Sequence, residues 1–245
     1  MKRIIKYSVI SIVVILLLAF GGFYIWSQQT YSPSKELYSL VGNVNTDNKH
    51  HWEVFEPKLN KETGIILYPG AKVEPEAYSY FAKGLANDGY TVIIPSVKFN
   101  FAIFDVDKAE QVMKSYPSIK KWYISGHSLG GASAAAYAYK NPKKIEGIIF
   151  LGSYPGNSND FSNSNLPMLS LYAEYDGLST MSKIKESKHL LSQDATMYEV
   201  LGGNHAQFGM YGKQKGDKKA TITAKQQQDK IIEVTTKWLD AKRKR

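Results

Sequence analysis

Ile124-Ser125-Gly126-His127-Ser128-Leu129-Gly130-Gly131 contains the pattern Gly-x-Ser-x-Gly, and its flanks give it meaning. Before it stands Lys121-Trp122-Tyr123-Ile124-Ser125, short and rich in strand formers. After it runs Gly131-Ala132-Ser133-Ala134-Ala135-Ala136-Tyr137-Ala138-Tyr139, rich in small helix formers. A strand, a sharp turn at Ser128 and a helix together make a nucleophile elbow. The turn holds its central residue in a strained conformation, so its neighbours must be small. Gly126 and Gly130 meet that need. The start of the helix also aims backbone N–H groups and a partial positive charge at the serine oxygen. Chance often supplies the bare pattern, so its meaning depends on partners elsewhere in the chain.

Strand and helix signals alternate along most of the 245 residues. Trp52-Glu53-Val54-Phe55-Glu56-Pro57 alternates as a strand, and Gly64-Ile65-Ile66-Leu67-Tyr68 is a short apolar one. Residues 75–87 have helical spacing and stop at Asp88-Gly89. Residues 90–95, 145–151, 166–172 and 196–201 read as further strands. Asp105 reads as the N-cap of a helix running to Ser115, and 180–191 as another helix. Thr223 opens the last helix with Gln226 at the capping-box position. Strands apolar throughout belong to a sheet covered on both faces, which means a doubly wound, mostly parallel α/β sheet. Sites on such sheets lie at the carboxyl ends of strands.

Charge and composition narrow the function. The net charge is +9, but seven of those positives sit at the two ends, at Lys2, Arg3, Lys6, Lys242, Arg243, Lys244 and Arg245. The rest of the chain is close to neutral, which argues against a nucleic-acid partner. The absence of cysteine excludes disulfides, thiolate metal sites and a cysteine nucleophile. His50-His51 lacks a third ligand and reads as the start of a strand, so no metal and no cofactor is expected. A bias toward Lys, Asn and Ile over Arg suits an AT-rich bacterial genome.

Residues 7–26 form an apolar run with no charged side chain, long enough to cross a bilayer as a helix. Lys2, Arg3 and Lys6 would keep the N-terminus cytoplasmic and place the rest outside. The expected organisation is a cytoplasmic end (1–6), a transmembrane anchor (7–26), a linker (27–50) with a short helix near 34–40, one α/β domain (51–241) and a basic tail (242–245). A cleaved signal followed by secretion is the alternative, because Ala19-Phe20-Gly21 loosely matches a cleavage site. The run's continuation through Phe23 to Trp26 favours the anchor.

Serine needs a base, and the base needs an acid to orient it. Asp176-Gly177 follows one strand, and Gly202-Gly203-Asn204-His205 follows the next. The order Ser128, Asp176, His205 fits an elbow of this kind. Glu174 and Asp160 are rivals for the acid. His127, beside the nucleophile, reads as a packing residue. The oxyanion of the intermediate needs two donors. The backbone N–H of Leu129 is one, and the loop Tyr68-Pro69-Gly70-Ala71-Lys72 offers Ala71, with Lys72 second.

These segments, with Gly203-Asn204-His205-Ala206-Gln207-Phe208-Gly209 and the following Gly216-Asp217, resemble the α/β-hydrolase superfamily. Within it the chain is similar to dienelactone hydrolases (carboxymethylenebutenolidase-like), across roughly residues 52–239. Dienelactone hydrolases use a cysteine nucleophile, whereas this chain has Ser128, which shifts the expectation to a carboxylesterase. The resemblance implies an α/β-hydrolase fold and a serine hydrolase acting on a small-molecule or a lipid- or wall-associated ester. Acyl transfer by the same triad and a non-catalytic binding protein are the other readings. Residues 151–166, where relatives insert a lid, are short and rich in Asn and Ser, so an open site is expected. Residues 212–216 read as a flap beside His205.

Overall fold

The computed structural model describes residues 2–42, 46–47, 50–58 and 62–243. Most of the Asn/Asp cluster at 43–48 and the last two residues of the basic tail lie outside the described residues. Eight strands form one sheet in the order β1-β2-β4-β3-β5-β6-β7-β8. They are β1 (Thr46–Asp47), β2 (Trp52–Phe55), β3 (Thr63–Tyr68), β4 (Thr91–Ile94), β5 (Lys121–His127), β6 (Gly147–Leu151), β7 (Met168–Ala173) and β8 (Ala195–Val200). The pairings β1–β2 and β2–β4 are antiparallel, and all the others are parallel.

Every residue of β3, β4 and β6 is buried, as their unbroken apolar sequences require. Alternate side chains serve opposite layers. Ile65 and Leu67 pack with Phe81 and Leu85 of α3 (Ser79–Asn87) and Ile231 of α7 (Ala224–Arg243). Ile66 and Tyr68 pack with Val112 of α4 (Lys108–Ser115) and Ala134 and Ala138 of α5 (Leu129–Lys140). The capping box opens α7: the Gln226 N–H donates to Thr223 Oγ1 at 3.1 Å, and the Thr223 N–H to Gln226 Oε1 at 2.9 Å.

Two helices precede the sheet. The long apolar α1 (Lys2–Ser27) projects away from the domain, with Leu18 71% exposed. The short α2 (Lys35–Val41) is capped by Ser34, whose Oγ accepts from the Leu37 N–H. The residues between them are tied to the body. Tyr31 pairs in parallel with Val73. Its N–H donates to Lys72 O at 2.6 Å, and the Glu74 N–H donates to Tyr31 O at 3.1 Å. What reads in sequence as a linker therefore runs as an added strip beside the loop after β3.

Asp105 is not the N-cap expected from sequence. A 3₁₀ turn at Ala102–Phe104 delays the helix, which starts at Lys108. The Asp105 carboxylate instead pairs with Lys98 at 3.4 Å and Lys108 at 3.0 Å. α6 (Met181–Ser187) is capped by Thr180 and ends in a 3₁₀ turn. Because β3 to β8 are parallel, the ends of β3, β4, β5, β7 and β8 lie along one edge of the sheet. The loops there carry Ala71, residues 95–107, Ser128, Asp176 and His205.

Candidate active site

Ser128 sits between β5 and α5 at φ 53°, ψ −123°. A non-glycine residue in such a conformation costs on the order of 1–3 kcal/mol and persists only where its surroundings enforce it. The enforcement is visible. The Ser128 N–H donates to Leu151 O at 3.1 Å, and Ser128 O accepts from Ser153 Oγ at 2.6 Å and from the Gly131 N–H at 3.0 Å. A Cβ on Gly126 would collide with the Gly130 backbone, and one on Gly130 with the carbonyls of Tyr68 and Pro69. The elbow thus closes only with glycine at both positions, and α5 begins against the loop after β3.

Two amides on either side of that contact are uncommitted. Leu129 is the first residue of α5, so its N–H has no partner within the helix. In the facing loop the Gly70 N–H donates to Tyr78 Oη at 2.9 Å and the Lys72 N–H to Asn100 O at 2.8 Å. The N–H of Ala71, between them, is uncommitted. Lys72, the second choice from sequence, is occupied.

His205 and Asp176 form a fully buried pair, with Nδ1 2.7 Å from Oδ2. The other Asp176 oxygen accepts from the N–H groups of Leu178 at 2.8 Å and Ser179 at 2.6 Å, which fixes the carboxylate. His205 Nε2 is buried and without a hydrogen bond. The rival acids are engaged elsewhere. Glu174 accepts from the Gly202 N–H at 2.9 Å, and Asp160 from the Ser162 N–H at 2.8 Å. His50 stacks on Trp52 with ring centroids 4.3 Å apart. No group of three or more His, Cys, Asp or Glu is placed to hold a metal ion among the described residues.

Two features of the site escaped the sequence. The first is the position of His127. Its ring lies 4.5 Å from that of His205, and its Nδ1 is 2.9 Å from Tyr78 Oη. Tyr78 accepts the Gly70 N–H, so its hydroxyl proton is free for His127 Nδ1. Burial, and then the charge of His205, hold the His127 pKa well below its ordinary value. His127 is therefore neutral at pH 7.

The second is Asp217. Its Oδ1 accepts from the N–H groups of Gly177 at 3.0 Å, His205 at 3.3 Å and Lys218 at 2.9 Å, and its Oδ2 from the Ala206 N–H at 2.9 Å. One carboxylate thus fastens the loop of Asp176 to the loop of His205. Residues 212–216, read as a flap, lead into this residue. A cleft of about 750 Å³ opens behind it, lined by Ser34, Gln207, Met210 and Lys213. Its lining includes none of Ser128, Ala71 or Leu129.

The sequence profile of the alpha/beta hydrolase family matches residues 64–229, more than half of the chain. The chain belongs to that family. Solved structures agree on the fold of this hydrolase. A predicted CIB-like hydrolase from Thermoplasma acidophilum superposes with a TM-score of 0.60 at 14% identity, over 80% of this chain and 97% of that one. The esterase domain of a Rhodothermus marinus protein gives 0.60 at 12%, over 82% and 97%. A membrane phospholipase A described as a bacterial virulence factor gives 0.57 at 14%, over 99% of both chains. No curated protein matches the hydrolase by sequence.

Proposed function

We propose that this hydrolase is a serine esterase, built on a dienelactone-hydrolase-like scaffold, that cleaves a carboxylic ester through an acyl-enzyme. Ser128 Oγ attacks the ester carbonyl while His205 Nε2 takes its proton. Asp176 holds His205 in the tautomer that leaves Nε2 free to accept, and stabilises the imidazolium once it forms. The amides of Ala71 and Leu129 receive the oxyanion. His205 then gives the proton to the leaving alcohol. Water attacks the acyl-enzyme, with His205 again acting as base, and releases the acid. The observations that carry this reading are the buried Asp176–His205 pair, whose Nε2 has no hydrogen bond, and the strained turn at Ser128, all at the carboxyl ends of parallel strands. Esterases among the structural relatives support the ester as the bond cleaved.

In the same reading α1 is an uncleaved anchor. The helix Lys6–Ser27 is apolar, with a mean hydropathy of 2.5, and the side chains from Tyr7 to Phe20 are exposed. The domain would then lie outside the cytoplasmic membrane. The structural relative that is a membrane phospholipase, matching along the whole chain, supports that arrangement.

The test is labelling by a fluorophosphonate probe. Wild type is expected to be labelled, and Ser128→Ala to be unlabelled while keeping its fold. A folded wild type that resists the probe would contradict the proposal.

A further inference from the structure

The loop after β4 has no part in the triad, yet it is built with unusual care. It carries Phe99, Phe101, Ile103 and Phe104, of which Ile103 and Phe104 are 54% and 51% exposed. Phe99 and Asn100 both have positive φ, at 55° and 59°. For a bulky side chain such as Phe99 that is a strained conformation. The strain presents aromatic rings to one place, the end of α1.

The contacts are specific. The Phe99 ring lies 6.0 Å from Phe20, 5.7 Å from Phe23 and 6.4 Å from Tyr24. Phe101 stacks on Trp26 at 5.5 Å, and Phe104 meets Phe23 edge-on at 5.9 Å. Asn100 Nδ2 donates to Ser27 O at 3.0 Å, satisfying a carbonyl at the helix end. Phe20 precedes Ser27 by seven residues, which at 1.5 Å per residue places it about 10 Å inside the end of the helix. A ring touching Phe20 therefore lies beside the span and not beyond it. Lys72 Nζ sits 4.3 Å over the Trp26 ring, a cation and an aromatic side chain at the level where a bilayer meets water.

The same loop reaches the site. Asn100 O accepts the N–H of Lys72, the residue after the Ala71 donor. The turn at Ala102–Phe104 packs against α5, the nucleophile helix. The mouth of the site and the apolar loop thus share one edge of the sheet and one side of the molecule.

We propose that residues 99–104 enter the outer leaflet beside α1, and that the ester cleaved is an acyl ester of a bilayer lipid. This rests on the anchored serine-esterase reading above and adds the substrate class to it. The occupant of the exposed apolar surface is the leaflet that α1 itself crosses, because the two surfaces are continuous through Phe20, Phe23 and Trp26. In the reaction Ser128 Oγ bonds to the acyl carbon, the bond from that carbon to the lipid alkoxide breaks, and the serine proton passes through His205 to the alkoxide. Water then releases the fatty acid and restores the Ser128 proton. Residues 152–167, between β6 and β7, form a loop with no inserted helical domain.

The test uses the full chain in phosphatidylethanolamine–phosphatidylglycerol vesicles. Since the protein has no cysteine, a fluorophore can be placed singly on Ile103→Cys or on Lys140→Cys at the far end of α5. Brominated acyl chains are expected to quench the first label and not the second. A vesicle-bound protein whose Ile103→Cys label is not quenched would overturn the docking proposal while leaving the anchor in place. Wild type is also expected to release fatty acid from the vesicles. Ile103→Ser combined with Phe104→Ser should lower that release by about tenfold or more, with cleavage of a water-soluble butyrate ester unchanged. Cleavage of the soluble ester without any attack on vesicle lipid overturns the lipid substrate alone. Failure to react with the soluble ester and with fluorophosphonate overturns the underlying esterase.

Discussion

Asp217 supports the proposed triad without being a member of it. Its four accepted N–H bonds hold the loops of Asp176 and His205 together. A hydrogen bond to a charged group contributes about 1.5–3 kcal/mol. Asp217→Ala should therefore lower kcat by about tenfold to a hundredfold, because the base is correctly placed in fewer molecules. KM for a soluble ester should change little, a split that steady-state kinetics would reveal. His127 makes a different prediction. Its pKa is depressed in the fold, so between pH 6.5 and lower values the unfolded chain takes up a proton that the folded one refuses. Stability should be level above about pH 7 and fall as pH drops below 6.5. Denaturant titrations at pH 7.5 and pH 5 should show a larger loss for wild type than for His127→Gln. Asp217 entered the sequence reading only as part of a motif and His127 only as a packing residue. The four N–H groups that Asp217 binds come from segments far apart in sequence, and nothing in the local pattern indicates that residue 127 lies against residue 205.

Elements were easier to read than contacts, because periodicity and capping are local. The all-apolar strands and the Thr223–Gln226 box correspond to structure at those positions. The elbow itself was legible as strand, turn and helix. The pairing of Tyr31 with Val73, and the burial of Asp105 between two lysines, depend on segments that meet only in the folded chain. At this scale Gly130 is the informative position. Glycine to alanine inside a helix ordinarily stabilises by about 0.5–1 kcal/mol. Here the added methyl would strike the carbonyls of Tyr68 and Pro69. Gly130→Ala should instead destabilise by about 1–3 kcal/mol. It should also weaken fluorophosphonate labelling, since it would move the Leu129 amide, one of the two proposed to face the oxyanion. A thermal melt and a labelling time course check both.

For the whole molecule, α1 and the domain are joined by more than a covalent link. The aromatic contacts at Phe20, Phe23 and Trp26 and the strip from Ser27 to Ser34 connect the apolar helix to the oxyanion loop. Membranes isolated from cells should retain the full chain through high-salt and carbonate washes and release it only to detergent. Recovery of a soluble form lacking the first 20 or so residues would indicate signal cleavage instead.

The Tyr31–Val73 bridge has a kinetic consequence. It couples the helix to the loop bearing Ala71, so in the anchored reading proposed above the plane of the bilayer becomes the reference frame of the active site. Such a catalyst searches two dimensions and not three. Its rate would follow the mole fraction of ester in the leaflet, so diluting that ester with an inert lipid should slow turnover at constant bulk concentration.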